Sequence, residues 1–125
     1  MSELVNSAAT FTYDNLIGGA EPALITKNLT VASGAGVLAR GTVLGKVTAS
    51  GKFVKVNSAS NDGSQTANCI LAAAVDATSA DAVATVYVTG MFNIEALTFG
   101  GTDTYAAHAD TLRDLGIYLT SEKGA

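Results

Sequence analysis

Apolar residues in this chain fall in short runs broken by glycine, serine and asparagine, and the spacing within the runs changes along the chain. From Leu24 onward, Leu24–Lys27, Leu29–Val31 and Thr42–Thr48 are rich in β-branched and aliphatic residues and are bounded by turn formers, the pattern of short strands. Between Ala32 and Phe53, strand formers (Val37, Leu38, Val43, Leu44, Val47) interleave with Gly34, Gly36, Gly41, Gly45 and Gly51, which permit bends. The run Ala49–Gly51 sits between Thr42–Thr48 and Lys52–Val56 and predicts a hairpin. Asn57–Asn68 is polar and holds the pair Asp62–Gly63, so it reads as a surface loop. Cys69–Val75 is continuously apolar, consistent with a buried strand, although its three alanines also permit a helix.

Asp76–Asp81 then turns the chain, with both aspartates as turn formers. Ala82–Thr89 alternates Ala82, Ala84, Val86 and Val88 against Val83, Thr85, Tyr87 and Thr89, a strand whose two faces are both apolar enough to be covered. Asp103–Leu115 predicts a helix capped by Thr102 or Asp103, with Tyr105, Ala109 and Leu112 on its inner face. Arg113 complements the helix dipole, Gly116 ends the helix, and Ile117–Thr120 returns as a closing strand.

The segment before these elements is different. Residues 1–23 carry small polar side chains, Gly18, Gly19 and the single proline, Pro22, and read as a flexible arm with sparse apolar anchors at Leu4 with Val5, Phe11 with Tyr13, and Leu16 with Ile17. The expected organisation is an arm over 1–23, a β-rich domain over 24–120 and a short tail over 121–125. A chain of 125 residues suits one domain, burying roughly two thirds of its unfolded surface. There is no tryptophan, so aliphatic residues and alanine must fill the core, and contacts between copies could supplement it.

The net charge of −4 argues against unselective attraction to nucleic acid. A single cysteine, Cys69, in an apolar run reads as a buried free thiol. The N-terminal residues lack the basic and apolar parts of a signal peptide, and no apolar run is long enough to span a bilayer, so synthesis in the cytoplasm without membrane association is expected.

Candidate chemistry is sparse. Gly34, Gly36 and Ala39 match a dinucleotide-binding spacing, but a β-like run follows where a phosphate-binding helix would have to begin. The lone histidine, His108, has no ligand spacing with Asp110 or Asp114 and no nucleophile signature beside it, so it reads as a packing or solvated residue. Lys46, Lys52 and Lys55 on the hairpin guard a strand edge or face an acidic partner. No catalytic, cofactor-binding or metal-binding residues are assigned, no cofactor is expected, and the chain is not read as an enzyme.

Several ordered segments (Leu38–Val47, Asp62–Ser64, Val75–Thr78, Val86–Asn93 and Leu115–Leu119) together resemble the head decoration proteins of tailed bacteriophages, the family of the phage lambda decoration protein. The resemblance implies a mainly β fold, a β-rich α+β domain that is β-barrel-like or β-tulip-like, with one short C-terminal helix and a flexible N-terminal arm. It implies a homotrimer on the outside of the expanded head at local three-fold positions, bound to the major capsid protein, stabilising the shell against packaged DNA, with no nucleic-acid or membrane partner. The arm residues expected to fill pockets on the capsid are Phe11, Tyr13, Leu16 and Ile17. The competing expectation is a β-rich subunit of another phage assembly, such as a tail or spike component.

Overall fold

A computed structural model describes residues 17–19 and 24–120. Nine strands form: β1 (Ile17–Gly19), β2 (Ile25–Val31), β3 (Gly36–Leu38), β4 (Val43–Lys46), β5 (Phe53–Lys55), β6 (Ala67–Leu71), β7 (Val75–Ala77), β8 (Ala82–Asn93) and β9 (Ile117–Thr120). One short helix, α1 (Ala109–Asp114), precedes β9, and single 3₁₀ turns occupy Ile94–Ala96 and Tyr105–Ala107. The protein is therefore mainly β, as expected.

Strands β8, β2, β5, β4 and β6 pair in that order, and β6 pairs back to β8, which closes a five-stranded barrel. Closure leaves those strands no free edge within the ring. The hairpin read from the sequence is the β4–β5 pair, with Leu44 opposite Lys55 and Lys46 opposite Phe53. The β3–β7 ribbon packs separately, with Leu38 and Ala77 turned into the core.

Two apolar clusters follow from the two-residue period of the barrel strands. Inside the barrel lie Val31, Leu44, Phe53, Cys69, Leu71, Ala84 and Val86. Outside it, Val43, Val56, Ala67, Ile70 and Phe92 pack beneath Leu112 of α1 and Ile117 of β9. Successive residues such as Val43 and Leu44, or Ile70 and Leu71, thus face opposite clusters and are all fully buried. Both faces are covered at Val43–Leu44 of β4 and at Cys69–Leu71 of β6, which is why these positions are apolar without alternation.

Several sequence expectations need correction. The apolar run Cys69–Val75 is no single element: after Leu71 the chain bends, because Ala72 gives its carbonyl to Arg40 Nη1 at 2.8 Å. The same guanidinium nitrogen donates to Tyr87 Oη at 3.0 Å, and its plane lies 5.6 Å above the Tyr87 ring. The outer face of β8 is not covered at its start, since Val83 is 72% exposed opposite Thr30 of β2. The loop after β5 is not wholly at the surface: Ser64 is buried and a strand begins at Ala67.

The helix starts later than its sequence suggests. Asp103 is held sideways by Ser58 and His108 and caps nothing, so the chain makes a 3₁₀ turn first and leaves Tyr105 46% exposed. Leu112 remains the helix's buried anchor, and Gly116, at φ +92°, ends the segment as expected. Asp76 lies within β7, paired with Val37, rather than in the turn expected of it; its Oδ1 accepts from Thr78 N and Oγ1 where the strand gives way to a bend. Asp81 instead ties elements together, accepting from Ser33 N at 2.7 Å and from Lys52 Nζ at 2.6 Å. Lys52 is accordingly engaged within the protein.

Candidate functional site

β8 is twelve residues long and outruns the barrel. Its first part pairs with β2 and β6, while its last residues pair with β1 on one side and β9 on the other. Ile17 faces Phe92 and Gly19 faces Met91 in an antiparallel pair whose register shifts between them.

This small extension is where the N-terminal residues join the domain. Ile17 is partly buried and packs against the outer cluster that contains Phe92, Leu112 and Ile117. Gly90, at φ +146°, lies close beneath two side chains: a Cβ there would lie 2.6 Å from Leu24 Cδ2 and 2.9 Å from Phe92 Cζ. The other edge of β1 pairs with no strand among the described residues. Of the four residues picked from the sequence, Ile17 lies in β1 and packs on the outer cluster, and Phe11, Tyr13 and Leu16 lie outside the described residues.

β9 runs parallel to β8 from Gly90↔Ile117 to Asn93↔Thr120 and likewise has one strand neighbour among the described residues. Beside it, Ala109, Asp110, Arg113, Tyr118 and Leu119 line an open depression of about 170 Å³. No serine, cysteine, histidine or lysine lines it, and its cation, Arg113, lies 3.5 Å from Asp110.

The one group that superficially suggests catalysis is built for holding. His108 is 3% exposed and stacks on Phe99 with ring centres 5.5 Å apart. Its Nε2 donates to Asp103 Oδ2 at 2.7 Å, and Asp103 also accepts from Ser58 N at 2.7 Å and Ser58 Oγ at 2.6 Å. The serine hydroxyl, the histidine ring and the Ser58 N–H together hold the Asp103 carboxyl down at about 2. Aspartate lies between serine and histidine, so the ring cannot take a proton from the hydroxyl as a general base must. The trio clamps the loop after β5 to the segment entering α1.

Cys69, inside the barrel, is raised to about 12 by burial, which leaves it a protonated and unreactive thiol. Among the described residues no group of three metal-ligating side chains comes together, and no helix is long and apolar enough to cross a membrane. At Gly34 and Gly36 the chain enters β3, where a dinucleotide site would need a helix.

The model of the bacteriophage lambda head decoration protein D family matches residues 5–118. The chain belongs to that family. Head decoration proteins are structural capsid proteins of phages rather than enzymes, and their place is the exterior of the virion capsid. The match covers almost the whole described domain and begins well before β1, so it takes in most of the N-terminal segment. It favours head decoration over a tail or spike subunit. A search of curated proteins gives no match to the chain.

Of the segments that carry the family resemblance, Leu38–Val47 covers the end of β3 and all of β4, Val86–Asn93 falls on β8 and Leu115–Leu119 on β9, while Val75–Thr78 falls on β7 of the separate ribbon and Asp62–Ser64 on the loop after β5. What the sequence missed is β1 itself. Nothing in the local pattern of Ile17–Gly19 announces a strand, and only the pairing with Phe92 and Met91 makes one.

Proposed function

We propose that this decoration protein works as a trimeric cement, seated at local three-fold positions of the expanded head and bound to the major capsid protein through residues 1–23. The protein is made in the cytoplasm of the host bacterium and joins the shell after expansion, binding neither nucleic acid nor membrane. The observation that carries this reading is the family match over residues 5–118. The position of β1 supports it, because an arm rooted in the core can transmit load.

Phe11, Tyr13 and Leu16 supply apolar groups that an extended segment can set into pockets while its backbone adds to a sheet edge of the capsid. Ile17 fixes the last of them to the domain. Ordering such an arm costs on the order of 1–2 kcal/mol per residue, so one arm alone binds weakly. Three arms on one trimer raise avidity by roughly two to four orders of magnitude when all reach their sites together. Expansion supplies that geometry by bringing three capsid sites to the required spacing. Clamping adjacent subunits then opposes the outward pressure of packaged DNA.

The test removes residues 1–16 and keeps β1, so that Ile17 still packs on Phe92. The shortened protein should fold by circular dichroism, show a trimer mass by light scattering and fail to sediment with expanded heads. Full attachment without residues 1–16 overturns the arm reading, and a monomer mass for the full chain at working concentration overturns the trimer.

A further inference from the structure

The loop between β5 and β6 contains an Asp–Gly pair, the aspartyl dipeptide most open to backbone rearrangement. In that reaction the Gly63 amide nitrogen loses its proton and attacks Cγ of a protonated Asp62 carboxyl. The C–OH bond breaks, water leaves, and a five-membered succinimide forms. Water then opens the ring at either carbonyl, giving back aspartate or giving isoaspartate, with no net gain or loss of atoms. Glycine favours the attack because no side chain shields its nitrogen.

Neither residue is readily replaced here. Gly63 sits at φ +106°, and a Cβ on it would collide with Thr48 Oγ1 and lie 2.8 Å from Lys46 O and 3.0 Å from Thr48 N. Asp62 gives its carbonyl to Thr48 N at 2.9 Å, which pins the loop to the β4–β5 hairpin. Its carboxylate Oδ1 accepts from Ser64 N at 3.0 Å and Ser64 Oγ at 2.5 Å. Isoaspartate would route the main chain through Cβ of Asp62, lengthening it by one methylene beside the crowded Gly63, and would pull the loop off the hairpin.

Both reacting groups are held by their neighbours. The Gly63 N–H is engaged by Gln65 Oε1 at 2.8 Å, so the nitrogen must give up a hydrogen bond before it can attack. The carboxylate is turned toward Ser64, and the hydroxyl and N–H of that residue lower its pKa, favouring the ionised form from which water cannot leave. Ser64 is itself immobile, being fully buried against the bare backbone of Gly45.

We infer that Ser64 and Gln65 form a chemical lock that keeps the exposed Asp62–Gly63 bond from rearranging to isoaspartate in the folded protein. A virion cannot resynthesise its coat, so a decoration subunit must survive with the chain it was made with. The inference does not depend on how the arm binds.

The test follows isoaspartate by peptide mass mapping and isoaspartate-specific methylation during warm incubation at neutral pH, below the melting temperature. The folded full chain should rearrange at least about ten-fold more slowly than the same chain held unfolded in denaturant. Gln65→Met, which keeps volume but removes the acceptor, should accelerate rearrangement several-fold while circular dichroism stays native; Gln65→Glu, which keeps an acceptor, should match the parent. Ser64→Ala should also accelerate it. Equal rates in the folded and unfolded parent overturn the lock, and so does a folded Gln65→Met protein that rearranges no faster than the parent. Gln65 is only partly buried, so its variants decide the matter even if Ser64→Ala fails to fold.

Discussion

Gly45→Ala isolates how tightly the loop after β5 is seated on the barrel. Gly45 lies in β4 directly under Ser64, and an added Cβ would overlap Ser64 O and stand 2.8 Å from its C and 2.9 Å from its Cα. Comfortable carbon contacts need about 3.5–4.0 Å, so the Ser64 backbone must retreat by roughly 1 Å. It cannot do so freely, because Thr48 N holds Asp62 O at 2.9 Å and Ser64 holds the Asp62 carboxylate. Overpacking by one methyl group costs about 1–3 kcal/mol, and the upper end applies when backbone rather than a side chain must move. The loss of unfolded-state freedom on replacing glycine returns about 0.4–1 kcal/mol. The expected net loss is at least ~2 kcal/mol, a fall in Tm of roughly 8 °C for a domain of this size.

Gly34→Ala is the matched control. Gly34 has φ +91° with nothing within 4 Å of its would-be Cβ, so it carries the conformational penalty alone, about 1–2 kcal/mol before the same return. Urea titrations and thermal scans of both variants at one fixed protein concentration separate the two effects, since association would otherwise shift Tm. A Gly45→Ala protein that melts within about 2 °C of the parent, or loses less than Gly34→Ala, refutes the argument that Ser64 is wedged against β4.

Three further outcomes follow from the core and the clamp. Leu112→Ala removes the only buried side chain of α1 from the outer cluster and should cost about 3 kcal/mol, read from denaturant midpoints. Cys69 should resist thiol reagents in the native state and react only at the rate at which the barrel opens, so a fast-reacting fraction without denaturant would contradict its burial. Asp103 has its pKa lowered from 3.8 to about 2, so its contribution to stability is complete above pH 4 and disappears as pH falls toward 2. Thermal scans of Asp103→Asn should therefore show a lower Tm than the parent at neutral pH and a difference that shrinks with acidification across that window.

The parts of the fold that were legible in the sequence are those decided by neighbours along the chain. The β4–β5 hairpin follows from a short turn between two apolar runs, β9 from its position after Gly116, and β8 from alternation at Val86 and Val88. The parts that were not legible are decided across the chain. Arg40 takes the carbonyl of Ala72 and so ends an apolar run that has no breaker of its own. Ser58 and His108 capture Asp103 and postpone a helix that the sequence would start there. Val83 is as apolar as a covered residue, yet it is 72% exposed among the described residues. At the candidate site the seat of Ile17 on β8 depends on a strand dozens of residues away.

That β8 serves both the ring and its extension has a mechanical consequence. A pull on the arm reaches β1 first, and β1 lies antiparallel to β8, so tension enters β8 along its axis. The same backbone continues into the cylinder, where β2 and β6 grip it from either side. Sliding β8 out would require hydrogen bonds on both flanks to rupture together, whereas an open sheet could be peeled apart one bond at a time. Strain delivered through the leader is thus spread around a hoop, and the first joint to yield should be the three-residue β1, leaving the barrel whole.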